Sequence, residues 1–226
     1  MKLYDYWRSS SAWRVRIALA WKGIPHQRQS VNLVSAQPTA GGEQHQAPFA
    51  SLNPLRQVPL LELDDADTGG QGVRHLAQSL AILEFLEERF PAPPLLPRDP
   101  WLRARARQLA EMVNAGIQPL QNLSTVQYVK DALHGDGPAW MGHFIPRGLA
   151  ALETVAAETA RTYLVGDAVS LADLYLCPQL FAARRLGVSV DGYPTLLRVE
   201  AACAALPAFA DAHPERHPDR PAVPVP

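Results

Sequence analysis

The stretch "RSSSAWRVRIAL", residues 8–19, sets three serines directly ahead of an amphipathic run, in which Trp13, Ile17 and then Trp21 recur at i, i+4 and i+8. That spacing predicts a helix, and Gly23 predicts its stop. Upstream, "KLYDYW" (2–7) reads as a strand that delivers the chain to the serines. A strand ending in hydroxyl residues at a helix start is a local anion-binding device, because the first backbone N–H groups have no intrahelical partner and the helix dipole is positive there. The plainer alternative is one serine as an N-cap and two as loop. A second helix start, Gln78–Ser79, follows a predicted strand in the same small unit, so two such devices can serve one crevice.

Working outward, "HQRQSVNL" (26–33) reads as a second strand, and the polar segment 35–46, with one proline and two glycines, as a loop. Residues 58–63 and 72–76, joined by an Asp- and Gly-rich turn at 64–70, read as a β-hairpin. Ser79 then opens a helix whose Leu80, Ile82, Leu83, Phe85 and Leu86 cover more than one narrow stripe, as a helix packed on a sheet requires. The order is βαβ, then ββα. Val58-Pro59 is a candidate cis peptide that presents the Val58 backbone to an extended ligand, with a rigid turn as the alternative.

The proline cluster "FPAPPLLPRDP" (90–100) predicts a connection, after which helices are expected near 101–117, 121–133, 139–160, 170–186 and 194–205. The expected organisation is a mixed α/β domain over 1–90, a linker over 91–100, an all-helical domain over 101–212 and an extended, mobile proline-rich tail over 213–226. Ser170 and Asp173 have the S-x-x-D spacing of a capping box and are read as a folding element. His213 and His217, four apart in the tail, are not read as a metal site.

Composition narrows the function. With 226 residues, 47% of them hydrophobic, the chain can fill a sizeable core. Lys and Arg total 21 against 22 Asp and Glu, a formal charge of -1, so no global field recruits nucleic acid or an anionic membrane. The first residues lack a signal peptide's apolar core, and no apolar run approaches the ~20 residues of a spanning helix; a cytoplasmic location is expected. Cys177 and Cys203, the only two cysteines, fall in apolar helical sequence and read as buried thiols.

These residues carry a resemblance. The βαβ-ββα order with Val-Pro before the third strand, followed by helices, resembles the glutathione transferase fold, a thioredoxin-like domain plus a helical bundle. Within that superfamily "RSSSAWRVRIAL" resembles the zeta-class signature, and "SLNPLRQVP", "AQSLAILEFLEE", "GIQPLQNLS", "VGDAVSLADLYLCPQ" and "VDGYPTL" follow in the family's order. One departure is Ser11, where many zeta-class members have cysteine.

The resemblance implies glutathione as cofactor, a homodimer, and cis-trans isomerisation of the diacid maleylacetoacetate to fumarylacetoacetate in tyrosine and phenylalanine catabolism, by thiolate addition, rotation and elimination. Maleylpyruvate isomerisation, glutathione transfer to α-halo acids and a non-catalytic scaffold are its alternatives. It also implies roles. Ser9 activates the glutathione sulfur, and Ser10, Ser11, Ala12, Trp13 and Arg14 complete that helix-start motif. Gln78 and Ser79 take the γ-glutamyl end, Val58 pairs through its backbone with the cysteinyl residue, and Gln44 lies near the glycyl end. Gln118, Asn122, Leu123 and Ser124 contribute from the helical domain, while Arg8 and Arg185 hold the substrate's carboxylates, which guanidinium suits better than ammonium.

Overall fold

A computed structural model describes residues 1–34 and 42–221. The chain divides into two units, one formed by Met1–Pro93 with the segment from Pro207 onward, the other by Pro94–Leu206.

In the first unit β1 (Lys2–Asp5), α1 (Ser10–Trp21) and β2 (Gln27–Ser30) form the expected βαβ opening. Then come α2 (Ala47–Leu52), β3 (Leu60–Leu63), α3 (Asp65–Thr68), β4 (Arg74–Ala77) and α4 (Ser79–Arg89). The sheet order is β2-β1-β3-β4, parallel for β1 with β2 and antiparallel for β1 with β3 and for β3 with β4. This is the thioredoxin-like arrangement. Strand alternation sends Leu3 and Asp5 to one face of β1 and Tyr4 to the other. Tyr4 faces the side where Tyr6, Val31, Phe49, Val58 and Leu60 cluster with Leu52. Arg16 of α1 meets Asp5, and α1 packs on α4.

Two elements were not expected. α2 escaped notice because it is six residues long with Phe49 as its buried anchor, and proline at its start disguises it as loop. The turn after β3 contains α3, capped by Asp64 and ended by Gly69 at φ 68, a left-handed conformation that glycine adopts without strain.

The second unit holds α5 (Pro100–Asn114), a 3-10 turn at Gln118–Gln121, α6 (Leu123–Asp131), α7 (Gly137–Ala156), α8 (Leu171–Arg185) and α9 (Pro194–Ala204). α8 is buried along nearly its whole length, between α5 and α9. Its capping box is present: Asp173 Oδ2 accepts the Ser170 N–H at 2.7 Å and the Ser170 hydroxyl at 2.9 Å, and Oδ1 accepts the Leu164 N–H at 2.9 Å. Burial pushes this carboxyl up to about 6. Cys177 and Cys203 are both buried, and the Cys177 sulfur beside it, together with burial, pushes the Cys203 thiol far above its usual range.

The ends of the expected domains need correction. The linker expected at 91–100 is partly structural, since Leu95 and Leu96 are buried and the Leu95 carbonyl accepts the Leu171 N–H at 2.7 Å. Within the tail expected from 213, residues Pro214–Arg216 form a 3-10 turn rather than an extended chain, residues 222–226 of that tail lie outside the described residues, and α10 (Pro207–Asp211) belongs with the first unit, packed on α1. His213 caps a 3-10 turn at Pro214–Arg216 and meets Trp13 edge-on, with ring centroids 5.0 Å apart. His217, five per cent exposed, bonds Asp5 at 3.0 Å. Proline content argued for an extended chain; buried hydrogen bonds override it.

Candidate active site

β1 ends at Asp5, and the chain turns through Tyr6, Trp7 and Arg8 into α1. The Ser9 N–H donates to the Tyr6 carbonyl at 2.9 Å, and the Ser9 backbone is extended, as an N-cap requires. Its Oγ accepts the Ala12 N–H at 3.2 Å. Ser9 therefore caps the helix, as the plainer reading expects, while Ser10 and Ser11 are its first helical residues rather than loop; accepting that bond polarises the Ser9 O–H for donation. Among the described residues no acceptor takes that proton. Ser10 and Ser11 occupy the first turn half-buried, Ala12 and Trp13 are buried behind them, and no acidic residue stands in that turn. Arg8 is half-buried with its guanidinium carbon 5.6 Å from the Trp7 ring centroid.

The second helix start is tied to the first. Arg14, fully buried on α1, donates from Nη1 to the Ser79 Oγ at 3.1 Å, and Ser79 is itself buried. Gln78, between β4 and α4, has φ 71 and ψ 119. For a side chain with a Cβ such a conformation costs on the order of 1–3 kcal/mol, and it persists only where its flanks are fixed, here by β4 pairing and by buried Ser79. Gln78 offers no side-chain cap and α4 carries no acid in its first turn. The first turn of α1 likewise holds no acid.

The Val58-Pro59 bond is cis, and Val58 lies two residues ahead of the first paired residue of β3, with its side chain in the core cluster. Asn53 shapes the turn before it, donating to the Gln57 carbonyl at 2.7 Å. Gln44 lies in a 3-10 turn at Glu43–His45 and is buried, its Nε2 donating to the Leu33 carbonyl at 3.3 Å. Its Oε1 is a buried acceptor with no hydrogen-bond partner among the described residues. Most of the loop expected ahead of it lies outside the described residues. Together these are an orphaned buried acceptor at Gln44, a Ser9 hydroxyl proton with no acceptor among the described residues, and two helix starts with no acid in their first turns.

In the second unit Gln118 opens the 3-10 turn, and Asn122 caps α6, its Oδ1 accepting the Ser124 N–H and hydroxyl, both at 3.1 Å. Leu123 is exposed. Gln121 exchanges two amide hydrogen bonds with fully buried Gln179 of α8, at 3.2 and 2.9 Å, which fixes the turn between Gln118 and Asn122. Arg185 ends α8 and is exposed; adjacent Arg184 donates through both Nη groups to the Glu200 carboxylate, at 2.6 and 2.5 Å. Sequence reading missed Arg16, Asp5, Gln179 and His217 as supports. The signals were a charged residue on the inward face of β1 and a glutamine inside an apolar helix.

Residues 8–89 match the model of the glutathione S-transferase N-terminal domain, and residues 145–207 that of the C-terminal domain. The maleylacetoacetate isomerase of Pseudomonas aeruginosa is 44% identical, over 99% of this chain and 100% of its own. A crystal structure of maleylacetoacetate isomerase from Anaeromyxobacter dehalogenans with GSH in its active site has a TM-score of 0.86 and 50% identity, covering 97% of each chain. A holo structure of maleyl pyruvate isomerase, described as a bacterial zeta-class enzyme, has a TM-score of 0.87 at 40% identity, covering 97% of this chain and 99% of that one. The chain belongs to the glutathione transferases. Within them it is a member of the zeta class.

Proposed function

We propose that the protein isomerises maleylacetoacetate to fumarylacetoacetate with glutathione as cofactor. The observation that carries the reading is Ser9, whose Oγ accepts an α1 N–H and whose hydroxyl proton has no acceptor among the described residues, which leaves it available to a sulfur. Bound glutathione supplies a thiol whose reversible addition to the cis double bond permits rotation and release of the trans product. The chain's part is to favour the thiolate and to hold two carboxylates.

A free thiol titrates near ~8.5, and lowering it by about two pH units takes roughly 2.7 kcal/mol of differential stabilisation. A charge-assisted hydrogen bond from Ser9 and the positive end of α1 together reach that size. Ser79, with the start of α4 behind it, receives the γ-glutamyl carboxylate, and Gln78 lies beside it. Val58 pairs with the cysteinyl residue through its backbone, and Gln44 Oε1 accepts from the peptide. Ser10 to Arg14 hold the helix start in place, while Gln118 and Asn122 to Ser124 contribute from the second unit. Arg8 and Arg185 hold the substrate's carboxylates. The domains act as a glutathione-binding unit and a substrate unit, in a cytoplasmic homodimer serving tyrosine and phenylalanine catabolism.

Purified protein mixed with maleylacetoacetate tests this directly. Trans product that forms only with glutathione, with no net loss of it, supports the reading; product without glutathione, or glutathione consumed in each turnover, overturns it. The likeness to maleyl pyruvate isomerase supports a second substrate of the same chemistry, maleylpyruvate, and the ratio of kcat/KM on the two acids decides between them.

A further inference from the structure

We propose that His217, in the C-terminal segment, is a positioning residue for the reaction: through Asp5 and Arg16 it fixes the loop that carries Arg8 and Ser9. This rests on the reading of Ser9 as the group that activates the thiol.

The Arg16 guanidinium is the hub. Its Nη1 donates to the two Asp5 oxygens at 2.8 and 2.9 Å and to the Tyr6 carbonyl at 3.4 Å, its Nη2 to the Trp7 carbonyl at 3.2 Å, and its Nε to the Ala212 carbonyl at 3.2 Å. The Tyr6 and Trp7 carbonyls immediately precede Arg8 and Ser9. The same Tyr6 carbonyl accepts the Ser9 N–H at 2.9 Å. One planar, permanently charged fork therefore sets the peptide planes on both sides of Trp7, and with them the direction in which Ser9 leaves the strand.

The fork is in turn aimed by Asp5. Asp5 Oδ2 accepts a second bond from His217 Nε2 at 3.0 Å. The Asp219 N–H donates to His217 Nδ1 at 3.2 Å, so Nδ1 is the acceptor and Nε2 carries the proton given to Asp5. Asp5, Arg16 and His217 are one, five and five per cent exposed, which leaves little room for solvent to replace a lost partner. The fold thereby routes a bond from residue 217 to the loop before Ser9, through the sheet strand that ends there. A clip that only held the tail would have no need of Arg16 bonds to Tyr6 and Trp7.

The test titrates the thiol of bound glutathione by the ultraviolet absorbance of its thiolate, alongside calorimetric glutathione affinity, melting temperature and kcat/KM. His217→Ala is expected to move the thiol titration to higher pH and to lower kcat/KM about tenfold at neutral pH, as a misplaced activating group does. His217→Gln, which keeps a donor near the Nε2 position, is expected to restore most of both. Asp173→Asn, destabilised in the other unit, is expected to melt lower with an unchanged thiol titration. A folded His217→Ala with wild-type titration and kcat/KM overturns the proposal. If His217→Ala does not fold, His217→Asn, too short to reach Asp5, is judged by the same titration. Ser9→Ala separates the two readings: if it leaves the titration unchanged, the role of Ser9 itself falls; if it raises the titration while His217→Ala does not, only the positioning role falls.

Discussion

Replacing Asp173 tests whether the most buried carboxylate of the second unit serves folding alone. Its two oxygens accept two backbone N–H groups, from Leu164 and Ser170, and the Ser170 hydroxyl, in a site with no exposure. Asp173→Ala leaves both buried N–H groups without acceptors, at about 1–3 kcal/mol each, so a loss of roughly 3–5 kcal/mol is expected. Against a typical total of about 5–15 kcal/mol that is severe, and at roughly 2–4 °C per kcal/mol the melting temperature should fall by about 10 °C. Asp173→Asn keeps one acceptor oxygen and should lose about half as much. The pH dependence adds a second check. Burial raises the folded-state value to about 6, so the unfolded chain, titrating near ~3.9, releases its proton first, and stability falls as pH rises from about 4 to about 6. The advantage of wild type over Asp173→Asn, measured by urea unfolding, should therefore be largest near pH 4 and shrink by about 3 kcal/mol above pH 6. Activity per folded molecule well below the melting temperature should be unchanged. An Asp173→Ala protein that melts like wild type yet turns over slowly would refute the reasoning and place Asp173 in the chemistry.

Ser9→Ala should lower kcat/KM by about 100-fold, the usual cost of one charge-stabilising donor, with a smaller loss of stability from the missing cap. Steady-state kinetics with melting curves read both. Arg185→Ala should raise KM for the diacid substrate while leaving glutathione affinity alone, and Arg184→Ala, which breaks the Glu200 pair, should do neither; substrate titrations compare them. At Gly148, an added Cβ would lie 2.4 Å from the Ile117 side chain, so Gly148→Ala should destabilise by about 1–3 kcal/mol despite the gain in helix propensity, as thermal unfolding will show.

The first unit was readable because its signals are local. Trp13, Ile17, Trp21 and Gly23 mark α1 by spacing and stop, and the hairpin by its turn residues; both were found. The Ser170–Asp173 box was legible for the same reason. α2 was missed because six residues hold too few apolar positions to show a period. The tail was misread because the attraction that orders it comes from Asp5, more than two hundred residues away, and no local window contains that partner. Likewise the glutamine of α8 reads as an interruption of an apolar helix until Gln121 is seen opposite it. Site residues at helix starts could be read from hydroxyls and their neighbours; their supports, joined across the sheet, could not.

The long helices differ in how they are capped. α5 and α7 begin on the carboxylates of Asp99 and Asp136, α8 on Asp173, and α9 receives both oxygens of Glu153 at its Thr195 and Leu196 N–H groups. Among the helices of eight or more described residues, α1, α4 and α6 carry no acid at the N-cap or in the first turn: Ser9 and Asn122 cap two of them, and Gln78 makes no side-chain cap on the third. Those three starts are where Ser9 to Arg14, Gln78–Ser79 and Asn122 to Ser124 stand. A carboxylate near a helix start is worth about 0.3–1 kcal/mol, so its omission costs stability, and the proposed function accounts for that cost if an anionic ligand meets the dipole instead. Asn122→Asp tests this with a near-isosteric change. The cap oxygen is retained for Ser124, so melting should hold or rise slightly, while the new charge should weaken glutathione binding by about 1 kcal/mol, or roughly fivefold, in calorimetry. The weakening should relax at high salt if it is electrostatic. An Asn122→Asp protein that binds glutathione as tightly as wild type would mean that the start of α6 is not part of the binding surface, and that its neutral cap has no bearing on the anion.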